Sequence, residues 1–127
     1  MLDTDTVSFA LRGEGGVASR LLQERPSVLC ISSITLAELA FGAARRKSSK
    51  LQGLIDRFVA SVQVLAFDAA AASRFGETAA GLAGAGSPIG DFDTLIAAHA
   101  LACDLVLVTH NRKHFDRVPG LRTESWL

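Results

Sequence analysis

The side chains in this chain that could do metal-assisted chemistry are Asp3, Asp5, Glu38, Asp91, Asp93 and Asn111. They come from segments far apart in the sequence: MLDTDT, TLAELA, GDFDTL and LVTHN. Carboxylates gathered within a few ångströms repel one another, and each resists ionising until a cation offsets the charge. Oxygen donors of this kind favour a hard divalent ion, Mg²⁺ with Mn²⁺ as the alternative, over zinc. Such an ion lowers the pKa of an attacking water, and a second would stabilise the leaving oxygen of an in-line displacement at a phosphodiester.

Each acid also has a structural reading. Asp5, Asp68 and Asp91 stand where helices begin and suit N-caps. Thr35 and Glu38 have capping-box spacing, and Asp93 suits the positive end of a helix. Taken singly, each is more simply structural. The catalytic reading depends on the elements that would place them on one rim.

Apolar runs of strand length occur at 28–32 (VLCIS), 62–67 (VQVLAF) and 105–109 (LVLVT), with a shorter ML at the start. They are nearly continuous rather than alternating, which predicts parallel strands covered on both faces. The stretches 33–44, 50–60, 69–83 and 91–102 read as helices, and 121–125 as a final short strand. The alternation predicts an α/β fold: a doubly wound, mostly parallel sheet of four or five strands with helices on both faces. Ligands of such sheets bind in the crevice at the carboxyl ends of the strands. Asp3 and Asp5 follow the first strand, Glu38 lies near the start of the helix after VLCIS, Asp91 and Asp93 open a helix at that same edge, and Asn111 follows LVLVTH.

Composition sets the outer bounds. With 127 residues, 49% of them hydrophobic, the chain predicts one domain over 1–127 with a core that needs no staples. Cys30 and Cys103 both lie in apolar surroundings without metal-ligand spacing, so both are expected to be reduced core residues. Apolar runs fall far short of the ~20 residues that span a membrane, and no leader pattern opens the sequence, which predicts a cytoplasmic protein. Thirteen basic and thirteen acidic residues cancel, so any nucleic-acid binding must rest on a local patch. Arg45 to Lys50 (RRKSSK) is one such patch or a plain solvated connection.

The sequence resembles PIN-domain nucleases, and within them the VapC-type toxins of toxin–antitoxin pairs. The similarity covers nearly the whole chain and is densest in MLDTDT, in SSITLAELAFGA at 32–43, and in the block from PIGDFDTLIAAHA at 88 to RTESW ending at 126. The resemblance implies a PIN-like fold and a catalytic set of Asp3, Glu38, Asp93 and Asn111, with Thr109 as an accompanying hydroxyl. It implies Mg²⁺ or Mn²⁺ held by Asp3 and Asp93, RNA as substrate, a homodimer, and a cognate antitoxin that covers the site. Asp5 and His110 depart from the family pattern, which usually has Asn at the first position and Asn or Arg at the second. Many relatives carry a few residues before MLDT, so the first strand is either short here or truncated.

His99 sits on an otherwise apolar helix and is expected to be structural, whereas His110 and His114, with Arg112 and Lys113, flank the rim as phosphate contacts or as solvated loop. Two rival readings stand beside the nuclease. A receiver-like phosphoacceptor would use Asp68 and Thr109, but it needs adjacent acids after the first strand and a Lys after the fifth, and RTESWL has none. A catalytically idle PIN-fold binding module rests on Asn111 standing where a fourth acid would be.

Overall fold

The computed structural model of the protein describes residues 1–126. Strand β1 (Cys30–Ser32) pairs in parallel with β2 (Gln63–Leu65), and β3 (Leu107–Val108) pairs in parallel with β4 (Thr123–Glu124). The two pairs are joined by the first strand, which shrinks to parallel bridges from Leu2 to Ile31 and to Val108. Leu2 N donates to Cys30 O at 2.9 Å, and Asp3 N donates to Val108 O at 3.0 Å. The sheet order is therefore β2, β1, Leu2, β3, β4, all parallel, as expected for a doubly wound fold.

Parallel strands need crossovers, and the helices supply them. These are α1 (Thr4–Arg12), α2 (Val17–Gln23), α3 (Ser33–Arg45), α4 (Ser49–Ser61), α5 (Ala69–Gly84), α6 (Asp91–Ala102) and the single turn α7 (Arg112–Phe115). Side-chain alternation along the strands divides the core into two. Met1, Cys30 and Leu107 pack with Leu82 of α5 and with Ile96 and Ala100 of α6 on one face. Leu2, Ile31 and Val108 pack with Val7 of α1, Leu39 of α3 and Ile55 of α4 on the other. Both faces being covered explains why the strand sequences are apolar throughout.

Several expectations need correction. The expected helix ranges leave out α1, α2 and α7, although a helix start is expected at Asp5. Asp5 is not a cap: Asp3 is, its Oδ1 accepting from Thr6 N at 2.8 Å, which leaves Asp5 exposed one residue inside α1. Asp91 likewise lies inside α6, whose N-cap is Gly90. Thr35 and Glu38 form no capping box, because Ser32 caps α3 by accepting from Ile34 N at 3.0 Å. Asp68 does cap α5, accepting from Ala71 N at 3.0 Å. Cys103 is exposed rather than buried, since α6 ends there and its C-cap faces solvent, whereas Cys30 lies in the core and both are free thiols. No helix among the described residues is long and apolar enough to cross a membrane.

Candidate active site

The peptide link from Leu2 into α1 makes Asp3 the pivot of the rim. The chain leaves the sheet centre and turns at once into a helix, so the cap carboxylate is trapped at the strand end, 3% exposed. Thr109, the first residue beyond β3, gives its hydroxyl to the same carboxylate. Burial pushes the Asp3 carboxyl above its usual range; the Thr109 and Thr6 hydrogen bonds oppose that, and the Asp5 charge adds to it.

Glu38 reaches the rim from the second turn of α3. Its Oε1 accepts from the Thr4 hydroxyl at 2.6 Å, and that hydroxyl also lies 3.2 Å from Thr35 Oγ1. Burial raises the Glu38 carboxyl, the Thr4 bond lowers it, and repulsion from Asp93, Asp5 and Asp3 raises it further. Asp93, in the first turn of α6, is also raised chiefly by burial, with Asp3 and Asp5 adding repulsion. His114 of α7 opposes this, its Nε2 lying 2.9 Å from Asp93 Oδ2. Asp3, Asp5, Glu38 and Asp93 thus feel one another's charge across three helices.

Other residues of the rim fall less tidily. Asn111 follows Thr109, its N–H donating to Thr109 Oγ1 at 3.0 Å, and its exposed side chain makes no cap or carboxylate bond among the described residues. Asp91 is exposed and does not share the mutual repulsion. His110 packs edge-on against Phe9 of α1, ring centroids 4.5 Å apart, instead of lining up with Arg112 and Lys113. His99 is buried with Nδ1 2.8 Å from Ser32 Oγ, the structural place expected of it. Sequence reasoning missed Thr4, Thr35 and the His114 contact with Asp93. Each acts across elements, and no local spacing signals it.

A metal cage built from the protein alone is not what these residues form: among the described residues no three His, Cys, Asp or Glu side chains converge on one point. The donor set still suits a hydrated hard cation. Mg²⁺ keeps most of its waters and takes only one or two protein carboxylates. Burial is the main cause of the raised carboxyls, and the repulsion that Asp3, Asp5 and Asp93 add to it is what such an ion would offset.

An all-parallel sheet with acids from three helices gathered at its carboxyl edge defines an α/β nuclease-like domain, and the chain belongs to the PIN domain family, whose model matches residues 1–121. Within that family its relatives are VapC ribonucleases. It is 40% identical over 127 residues to the tRNA(fMet)-specific endonuclease VapC of Shigella flexneri, covering 99% of this chain and 96% of that protein. The crystal structure of DNA-bound VapBC from Salmonella typhimurium superimposes with a TM-score of 0.92 at 38% identity, over 100% of this chain and 97% of the other. That of VapBC2 from Rickettsia felis, bound to a promoter DNA fragment, gives 0.90 at 36% identity, over 100% and 98%.

Proposed function

We propose that this chain is the toxin endoribonuclease of a toxin–antitoxin pair and hydrolyses RNA phosphodiester bonds at its acidic rim. The observation that supports it is the full-length similarity to VapC ribonucleases, 40% identity over 127 residues to that of Shigella flexneri, in a chain whose Asp3, Glu38 and Asp93 come near enough to feel one another's charge. Asp3 and Asp93 would hold Mg²⁺, or Mn²⁺, and Asn111 would offer an amide oxygen from the end of β3. A bound divalent ion supplies charge for the phosphate oxygens and a more acidic water. Glu38, fixed through Oε1 by Thr4, keeps Oε2 free to take a proton from the attacking water, and a raised carboxyl is the better base near neutral pH. Thr109 and the α1 amide hold Asp3 in place.

Relatives of this chain crystallise as VapBC complexes, and the surface here offers a place for such a partner. An apolar cleft of about 400 Å³ lies between α1, α2 and α4, away from the acids, and Leu22 at its edge is 89% exposed. An antitoxin anchored there could cover the rim, and a second copy of the chain would complete a homodimer.

The test is incubation of the purified protein with initiator tRNA and with unstructured RNA, in Mg²⁺, in Mn²⁺ and in EDTA. Cleavage is expected only with the ions, because among the described residues the Ser32–His99 pair is buried away from water and His114 is engaged by Asp93, one of the proposed ion ligands. Cleavage that persists in EDTA, with contaminating nucleases excluded, overturns the reading.

A further inference from the structure

Beside the rim lies a second, smaller cleft, of about 210 Å³, between α1, α3 and α4. It shares Thr4 and Glu38 with the acidic site, so an occupant of the cleft lies beside the Glu38 side chain. Its floor is aliphatic, with Leu11, Leu39 and Leu54 in its lining, and Ser8 contributes a hydroxyl. Arg12 and Arg46 also line it, and both are exposed. The Arg12 guanidinium is drawn toward Glu14, Nε to Oε1 at 3.0 Å, while Arg46 makes no ion pair among the described residues.

Size and chemistry narrow the occupant. Clefts that take a whole drug-sized ligand start at ~300 Å³, so this one suits a single planar ring. Apolar walls accept ring faces, hydroxyls meet ring edges, and guanidinium groups at the mouth suit the flanking phosphates. Single-stranded RNA is read through bases splayed out of the stack, and the base nearest the phosphate at Glu38 is the one this cleft can reach. The α3 wall is left bare by Gly42, where an added Cβ would meet nothing within 4 Å. Glycine weakens a helix interior, and no close packing demands it at this position.

We propose that the cleft between α1, α3 and α4 is the subsite for the RNA base adjacent to the scissile phosphate, entered past Arg12 and Arg46 and bordered by Glu38. This rests on the ribonuclease reading, and the experiment separates the two. In EDTA, AMP, GMP, CMP and UMP are titrated singly while amide shifts of Gly42, Leu51 and Ile55 are followed, with ribose 5-phosphate as the baseless control. At least one nucleotide is expected to move these amides where ribose 5-phosphate does not, and Gly42→Leu, which fills the cleft, is expected to abolish the response. In Mg²⁺, Gly42→Leu is expected to raise KM on RNA by ~10-fold or more with little change in kcat, the mark of lost binding, and to redistribute the cut sites. Melting curves establish that Gly42→Leu folds, and the wild-type titration tests the cleft without any substitution. Nucleotide binding without any RNA hydrolysis would remove the ribonuclease, and with it the scissile phosphate, and leave only a nucleotide-binding cleft. RNA hydrolysis by Gly42→Leu with wild-type KM and cut sites overturns the subsite. So does a wild type whose cleft amides ignore all four nucleotides, including the case in which only a protein partner protects them.

Discussion

Asp3 does two jobs that isosteric replacement can separate. Its Oδ1 caps α1 through Thr6 N, and its charge contributes to the rim. Asp3→Asn keeps an oxygen acceptor for the cap and drops the charge, whereas Asp3→Ala removes both and leaves the Thr6 amide without its partner. The folded-state carboxyl is raised, so above the ordinary carboxylate range the ionised form costs stability, and Asn relieves that cost. In EDTA at neutral pH, Asp3→Asn is expected to melt at or above the wild type, and Asp3→Ala below Asp3→Asn by about 1 kcal/mol, the usual worth of an N-cap. Neither should cut RNA. Equal melting of the two variants would show that the cap contributes nothing. Asp93→Asn follows the same sign, but its carboxylate is 39% exposed and already faces His114. Its gain in EDTA is therefore expected to stay below about 1 kcal/mol after solvent screening. Mg²⁺ should raise the wild-type melting temperature by mass action and that of Asp93→Asn much less. A variant that melts lower in EDTA and responds to Mg²⁺ like the wild type would remove Asp93 from the ion site.

The elements that the sequence made legible are those whose ends carry strong local signals. Helices expected at 33–44, 50–60, 69–83 and 91–102 appear as Ser33–Arg45, Ser49–Ser61, Ala69–Gly84 and Asp91–Ala102. Ser32, Ser48 and Asp68 cap three of them with side-chain oxygens. Helix α1 escaped because TDTVSFALR is rich in Thr, Asp and Ser, which favour helix ends over interiors, and because the strand before it is one bridged residue. Its signal lay at the far end. Gly13, at φ 70°, donates to Ala10 O, and Glu14 donates to Phe9 O at 2.9 Å, which together make a Schellman stop. Gly13→Ala forces a Cβ into the left-handed region and is expected to cost roughly 1 kcal/mol. Asp68→Ala, at the cap of α5, is expected to cost a similar amount. Urea midpoints check both, and a Gly13→Ala midpoint equal to wild type would contradict the stop. The rim divides in the same way. Asp3 and Glu38 are placed at the crevice by the strands before them, and Asp93 by opening a helix at the same edge, all of which is legible in the sequence. Thr4 and His114 are not, because their bonds to Glu38 and Asp93 cross 34 and 21 residues of sequence.

Across the whole molecule, the two core faces meet the site through one buried imidazole. His99 of α6 lies 2.8 Å through Nδ1 from Ser32 Oγ, the hydroxyl that also caps α3, and its ring meets Phe67 edge-on at 5.4 Å. Helix α6 carries Asp93 and α3 carries Glu38, so this contact fixes the two helices that bring opposite sides of the rim together. Burial holds the His99 pKa below its ordinary value, with Asp68 opposing weakly from the start of α5. The unfolded chain therefore binds a proton near pH 6.5 that the folded chain resists, and stability contributed by neutral His99 is lost as pH falls below that point. The rim acids act with the opposite sign. Their folded-state carboxyls are raised, so without metal they cost stability as pH climbs above the ordinary carboxylate range. A single pH curve mixes the two, and His99→Gln separates them, since Gln can still bond Ser32 but does not titrate. Its urea midpoint is expected to be lower than wild type at pH 8, by about 1 kcal/mol in free energy for an imperfect buried hydrogen bond. Between pH 7 and 5 the wild type should lose stability by up to ~1.4 kcal/mol per pH unit more than the variant does. The acids are common to both proteins and cancel in that difference. Parallel pH curves for wild type and His99→Gln would show that His99 takes its proton in the folded state as readily as in the unfolded one, and would end its assignment as the neutral link between α3 and α6.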